Sequence, residues 1–160
     1  DKTVQGLNIR QININELLEA ILKRLKPIAD KKKIEVVLES FRPVSAEIDE
    51  MKLTLAISNL VENAIKYNRP SGSVTVNIHS AESAVLEVTD TGIGISPENQ
   101  EKIFDPFYRV DKSRSRAMGG AGLGLALVSE IARQHNGQVK VTQSSKKGST
   151  IALILPVTIL

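Results

Sequence analysis

Strand-like segments in this chain come in runs separated by helices, and that order restricts the fold more than any single motif does. Ser73 to His79 and Ala84 to Thr89 alternate apolar and polar residues around Ser80-Ala81-Glu82-Ser83, as a hairpin does. Gln138 to Gln143 and Ser149 to Leu155 repeat the pattern through Lys146-Lys147-Gly148. Ile34 to Glu39 and Val44 to Ile48 read as a further strand pair around Phe41-Arg42-Pro43. Helical periodicity fills the gaps. A first helix is expected from Glu16 to about Asp30, N-capped by Asn15, with Leu17, Leu18, Ile21, Leu22 and Leu25 on one face and Pro27 bending or weakening it. A second runs from about Glu50 to Tyr67 and stops before Asn68-Arg69-Pro70-Ser71-Gly72, and a third runs from about Gly122 to His135 and stops at Asn136-Gly137. Grouped strands of this kind predict an α+β two-layer sandwich, a mixed and mostly antiparallel sheet packed against three main helices, and not a doubly wound parallel sheet. Residues 1–14 form a leading segment in which Leu7-Asn8-Ile9-Arg10-Gln11-Ile12 alternates like an edge strand, and residues 15–160 form one domain.

At 160 residues the chain is the size of a single domain, able to bury roughly two-thirds of its unfolded surface. A net charge of +3 gives no argument for nucleic acid or membrane binding, and no nucleic-acid partner is expected. The absence of cysteine removes disulfides, thiolate nucleophiles and cysteine-ligated zinc from consideration. The most apolar stretch, Ile151 to Leu160, is too short to cross a bilayer and contains Pro156, so it reads as a final core strand. A start at Asp1 without methionine reads as an excised or processed piece of a longer protein. Of the five aromatic residues Phe41 stands apart, while Tyr67, Phe104, Phe107 and Tyr108 fall in two polar stretches, where they either pack or serve a ligand.

Four stretches carry the chemistry. In Asn59-Leu60-Val61-Glu62-Asn63-Ala64-Ile65-Lys66-Tyr67-Asn68, at about 100° per residue, Asn59, Asn63 and Lys66 share one narrow sector with Tyr67 on its flank. Leu53, Ile57, Leu60, Val61 and Ala64 take the core side. Two amides and an ammonium beside a buried face make a ligand surface or a solvated stripe, and amide oxygens are suitable hard ligands for Mg²⁺. Asp90-Thr91-Gly92-Ile93-Gly94-Ile95 follows a strand directly. Its carboxylate can accept from an exocyclic amine while glycines let backbone approach a flat ring, although Asp-x-Gly at a strand end is also an ordinary turn. Phe104-Asp105-Pro106-Phe107-Tyr108-Arg109 leads into a cation-rich run through Arg116, able to neutralise phosphates or to be a basic surface loop. Gly119-Gly120-Ala121-Gly122-Leu123-Gly124 runs into the third helix, where amides and the helix dipole favour anions. It lacks the Gly-Lys-Ser/Thr ending of a Walker A loop and does not open a βαβ dinucleotide unit. The span 90–121 is long for a loop in a compact domain, which marks it as a functional lid.

Taken in this order, the four stretches resemble the N, G1, F and G2 boxes of histidine kinase catalytic domains, within the wider class of ATPases sharing the Bergerat fold. Gly148-Ser149-Thr150 resembles a third glycine box, and the likeness extends from about Asn13 to Pro156. The resemblance implies ATP and Mg²⁺ as ligands. Asn63 would hold the metal against the phosphates with Asn59 beside it, Lys66 would contact phosphate, and Tyr67 the base or sugar. Asp90 would take the adenine amino proton, in a pocket shared with Gly92, Gly94, Ile95 and Thr150. Tyr108 and Arg109 would lie on the lid, from about Ser96 to Gly120, with Arg109 reaching the γ-phosphate. Gly120, Gly122, Leu123 and Gly124 would line the phosphate side. Asn59, Asn63, Lys66 and Arg109 would be the catalytic set.

The reaction implied is transfer of the γ-phosphoryl group to a histidine nitrogen, by positioning and charge neutralisation. Hydrolytic members of the class carry a glutamate where this chain has Asn59, an amide that cannot act as a base. Glu62, the nearest carboxylate, lies roughly 60° round the helix from Asn59. Nothing here resembles the acceptor histidine beside an acidic residue on a dimerising helix. His79 ends a strand, and His135 sits where the family places a structural histidine. The expected partners are therefore ATP or ADP, dimerisation and phosphoacceptor helices of the same protein outside this sequence, and indirectly a response regulator. The isolated domain would be monomeric and unable to autophosphorylate, whereas the full kinase would be a homodimer. Its parent would be anchored in the bacterial inner membrane with this domain on the cytoplasmic side. Two alternatives share the fold: an anti-sigma-factor type serine kinase and a degenerate nucleotide-binding interaction module.

Overall fold

The computed structural model describes residues 2–4, 6–40, 42–106 and 123–157. Strand β1 (Lys2–Val4) pairs antiparallel with β2 (Leu7–Asn13), and β2 pairs antiparallel with β4 (Ser45–Asp49). The main sheet has the order β3-β5-β6-β8-β7, from β3 (Glu35–Glu39), β5 (Ser73–Ser80), β6 (Ser83–Asp90), β8 (Gly148–Pro156) and β7 (Gln138–Ser145). Only its β3–β5 pair is parallel; the other three are antiparallel. Helices α1 (Ile14–Lys31), α2 (Glu50–Lys66) and α3 (Leu123–Gln134) complete the α+β sandwich. Val74, Val76 and Ile78 of β5, Ala84, Leu86 and Val88 of β6, and Leu153 and Leu155 of β8 face the helices and form one core with them.

Three sequence expectations are corrected. The leading strand is not an edge, because β2 lies between β1 and β4. The segments around Phe41-Arg42-Pro43 are strands but not a pair: β4 joins β2, and β3 joins β5. A side chain explains the divergence. The Asn15 carbonyl oxygen accepts from Val44 N–H at 2.7 Å and the Ile14 amide donates to Val44 O at 2.8 Å, so the connector crosses the start of α1 instead of folding back. Asn15 is therefore occupied, and the α1 cap is Asn13, whose side chain accepts from Glu16 N–H. Pro27 lies inside α1. It lies on the exposed face, where water can take the carbonyl left without a partner.

Helix ends obey local chemistry. Asn136 closes α3 at φ 61°, with Gly137 N–H donating to Ala132 O at 2.8 Å and Asn136 N–H to Arg133 O at 2.9 Å, the bond pair of a Schellman motif. Lys32 caps α1 and also reaches α2, its Nζ donating to Ile65 O at 2.9 Å and Lys66 O at 2.6 Å. These are carbonyls with no partner inside the helix, at the negative end of its dipole.

The other end of α2 is tied more deeply. Asp49 is its N-cap, accepting from Lys52 N–H at 3.0 Å, and its second oxygen accepts from Asn8 N–H at 2.9 Å. Its own N–H donates to His135 Nε2 at 3.1 Å, and His135 Nδ1 is 2.8 Å from Ile131 O. Because Nε2 must accept, the ring is neutral with its proton on Nδ1. His135 is 1% exposed, and burial lowers its pKa despite the bond to Ile131. The reading of His135 as a structural helix-ending residue agrees with this placement.

An unfolded chain therefore binds this proton more readily than the folded one, and the contribution of His135 to stability is complete above its ordinary value of 6.5 and is lost as pH falls below it. Urea titration of His135→Ala at pH 7 is expected to show a loss of about 3 kcal/mol, from the cavity and the orphaned Asp49 amide, since Ile131 O keeps the backbone N–H of residue 135. Below pH 6.5 the difference between variant and wild type should narrow. A difference independent of pH would contradict the neutral, accepting ring.

Candidate functional site

Asp90 ends β6, paired with Val74 on one side and Ser149 on the other. Gly92 N–H donates to its Oδ1 at 2.8 Å, and Ser149 N–H to the same oxygen at 3.3 Å. With both bonds on Oδ1, no donor among the described residues meets Oδ2. Desolvation raises the Asp90 pKa above the ordinary carboxylate value, and the two amide bonds only partly offset that rise. A half-buried carboxylate that accepts two backbone amides and keeps one oxygen in reserve is suited to receive a donor from a ligand.

The loop leaving Asp90 is pressed against its surroundings. A Cβ on Gly92 would lie 2.6 Å from Tyr67 O, so glycine is what lets this loop touch the end of α2. Gly94 has φ 80°, and a Cβ there would lie 2.0 Å from Ser145 O. Ile95 N–H donates to Ser144 Oγ at 2.7 Å. Behind the loop, Asn68 is buried and bonded at both ends of its amide: its Nδ2 donates to Ser73 O at 2.8 Å, and its Oδ1 accepts from Thr91 Oγ1 at 2.8 Å and Arg69 N–H at 2.8 Å. The end of α2, the start of β5 and the loop after Asp90 are thus one network.

On α2 the apolar side is buried as expected, with Leu53, Ile57, Leu60, Val61 and Ala64 in the core, while Asn59, Asn63 and Lys66 are half-buried on its border. Asn63 Nδ2 donates to Asn59 O at 3.0 Å, which uses the donor end of the amide and leaves the carbonyl end for other use. Tyr67 is the C-cap of the helix, beside Gly92.

The structure thus brings together Tyr67, Asp90, Gly92, Gly94 and Ile95, with Asn59, Asn63 and Lys66 on the helix that leads to them. It does not bring Thr150. Strand parity places Ile151, Leu153 and Leu155 toward the helices, which turns Thr150 to the outer face, where its Oγ1 is 2.9 Å from Thr89 Oγ1. Ser149 is the residue beside Asp90. Counting back by twos from Leu155 would have found it in the sequence. Asn68 and Thr91, which lie inside two of the four stretches but were given no role there, are the other contributors missed. Leu123 and Gly124 open α3. Tyr108, Arg109, Gly120 and Gly122 lie outside the described residues, as does the lid beyond residue 106. The first part of that span is anchored: Gln100 Nε2 donates to Ile95 O at 3.0 Å, Ile103 is buried and Phe104 packs on the core.

Residues 48–159 match the family described as histidine kinase-, DNA gyrase B-, and HSP90-like ATPase. The chain belongs to that ATPase family. Among relatives it is 40% identical over 151 residues to the sensor-like histidine kinase SenX3 of Mycobacterium tuberculosis, covering 93% of this chain and 37% of the relative. To the sensor histidine kinase WalK of Bacillus subtilis it is 42% identical over 118 residues, covering 72% of this chain and 19% of that protein. The chain thus spans well under half the length of either. Among solved structures, the mycobacterial sensor histidine kinase MprB superposes with a TM-score of 0.80 at 26% identity, over 95% of this chain and 99% of that one. Full-length ShkA, solved in complex with AMPPNP, gives 0.85 at 26% identity, over 99% of this chain and 33% of that one. This ATPase-family chain therefore has the α+β fold of histidine kinase catalytic domains.

In this ATPase domain the half-buried Asp90 charge has a price in stability. With its pKa raised on folding, the group favours the folded state least once it is ionised, above the ordinary value of 3.8. Asp90→Asn keeps an oxygen for Gly92 and Ser149 and removes the charge. Its melting temperature at pH 7 should equal or exceed that of the wild type. A clear drop would mean the carboxylate is stabilised by more than two amides.

Proposed function

We propose that this chain is the ATP-binding catalytic domain of a sensor histidine kinase, which transfers the γ-phosphoryl group of ATP to a histidine on a separate dimerisation domain. The observation that carries the reading is Asp90, whose Oδ1 is bonded to Gly92 and Ser149 while Oδ2 meets no donor among the described residues, at the start of a loop whose glycines let backbone approach a flat ring. An acceptor so placed is complementary to the exocyclic amine of adenine. Tyr67, Gly94 and Ile95 border the same place, and Asn59, Asn63 and Lys66 continue it along α2 toward the phosphates. Sensor kinases among the relatives support histidine as the acceptor, over a serine kinase or a binding module.

The residues present fit Mg²⁺. Among the described residues no group of three or more His, Cys, Asp or Glu side chains could hold a metal by itself. A hard cation that retains waters and phosphate oxygens needs little more than one amide oxygen, which Asn63 can supply because its Nδ2 is held by Asn59 O. When bound, the metal would neutralise phosphate charge. Asn63 would then orient the triphosphate, Lys66 would offset negative charge, and Arg109 would reach the γ-phosphate. In the transfer, the bond from the γ-phosphorus to the β–γ bridging oxygen breaks. A bond to the imidazole nitrogen forms, ADP leaves, and the ring proton passes to solvent. Membrane anchoring, homodimerisation and a downstream response regulator belong to the parent kinase in this reading. No helix among the described residues is long and apolar enough to cross a membrane.

Calorimetric titration with ADP and a non-hydrolysable ATP analogue, with and without Mg²⁺, tests the reading directly. Asp90→Asn should weaken binding about 10- to 100-fold, because Asn presents an amine to the adenine amine where a charged acceptor stood. Unchanged affinity would remove Asp90 from the base pocket. Asn63→Ala should retain the fold and abolish Mg²⁺-dependent transfer to added acceptor helices. Transfer at the wild-type rate would mean that the metal is held elsewhere.

A further inference from the structure

Ser144 lies near the end of β7, beyond the register shift between Val141 and Gln143, and belongs to none of the stretches that carry the proposed function. Its hydroxyl nevertheless joins two of them. Ile95 N–H donates to Ser144 Oγ at 2.7 Å, and Ser144 Oγ is 3.0 Å from Ser149 Oγ. Ser149 in turn donates its N–H to Asp90 Oδ1. The loop leaving Asp90 and the strand bonded to Asp90 are therefore fastened to each other through one side chain. The fastening lies where the loop backbone is closest to β7: a Cβ on Gly94 would meet Ser144 Oγ at 3.3 Å as well as the Ser145 carbonyl.

We infer that Ser144 is a positioning residue for the nucleobase, setting the distance between the Gly94–Ile95 backbone and the Asp90 carboxylate; this rests on the reading of Asp90 as the adenine acceptor. Two physical points support it. The span between a planar ring's contact surface and the acceptor for its amine must be fixed to a few tenths of an ångström for both to act together. A hydroxyl can do this because it accepts from Ile95 and at the same time bonds the Ser149 hydroxyl, so that one small group holds backbone from the loop and a side chain from β8. An apolar residue could fill the space but would leave the Ile95 amide without its partner.

The test compares ADP with IDP, in which a carbonyl replaces the exocyclic amine, by calorimetric titration of wild type, Ser144→Ala and Ser144→Thr. Wild type should prefer ADP. In Ser144→Ala, affinity for ADP should fall about 10-fold, the equivalent of one lost hydrogen bond with its orphaned amide, while IDP binding changes little, so the preference shrinks. Ser144→Thr retains the hydroxyl in a strand that accepts β-branching and should restore most of the preference. Equal losses for both nucleotides, or no loss, would overturn the positioning role. A wild type without any ADP preference would instead overturn the Asp90 reading beneath it. Should the alanine variant fail to fold, hydrogen exchange at the Ile95 amide of the wild type decides. Slow exchange in the free protein that slows further with ADP supports the latch, and exchange at the rate of an unbonded loop amide refutes it.

Discussion

The bond from the Asp49 amide to His135 Nε2 ties the small sheet and the start of α2 to the end of α3. Asp49 ends β4 and caps α2, its carboxylate reaches back to Asn8 at the start of β2, and its amide meets the ring that terminates α3. Four elements meet at two buried side chains, and every hydrogen-bonding group at the junction has a partner. Such a network is unforgiving in low dielectric, because the loss of one member leaves the others orphaned. Its consequence for the site is geometric. A helix whose first turn is locked this way can slide or rotate very little, so Asn59 and Asn63 inherit their positions from a junction several turns away.

The far end of α2 is locked by different chemistry. Lys32 takes its last carbonyls, and Asn68 binds the chain beyond it to Thr91 and Ser73. The Gly92 backbone then rests on Tyr67 O with no room for a side chain between. The candidate base acceptor and the candidate phosphate helix are thus parts of one rigid body. This is the condition for a ligand to span both without a large cost of organising them on binding.

Much of this was legible in the sequence, and what was not has identifiable causes. Helix periodicity gave the three α-helices of the described residues and the buried side of α2, because a 3.6-residue repeat over several turns has few competing interpretations. Both long hairpins followed from alternation and turn residues. Strand pairing across Phe41-Arg42-Pro43 failed because adjacency in sequence is only a tendency, and the deciding bond, Asn15 to Val44, is a side-chain contact spanning 29 residues that no local pattern announces. The cap error at Asn15 has the same origin: Asn13 and Asn15 are equivalent as capping residues, and Asn15 was already engaged. At the site, Asp90 and its glycines stood out by composition, whereas Ser149 was passed over for the neighbouring threonine although period-two counting distinguishes the faces. Ser144 had no signal of its own, since a serine near a strand end is unremarkable until the loop packed on it is known.

One feature of the helix side bears on which acceptor the domain can serve. At the point where hydrolytic relatives present a carboxylate, this chain has Asn59, and its side chain cannot take a proton at neutral pH. Water must lose a proton as it attacks phosphorus, so a site without a base there is poorly matched to water. A neutral imidazole needs no such help. Its nitrogen already carries a lone pair, and the ring sheds a proton readily after the bond has formed. His135 cannot be that acceptor: it is 1% exposed, and both ring nitrogens are engaged in the fold. His79 lies on the exposed sheet end with Glu87 at 3.2 Å, in a strand whose core-facing residues point away from it. On the proposed reading, a site with an amide at that position is thus better matched to a nucleophile delivered from outside, ready to react and aligned by docking.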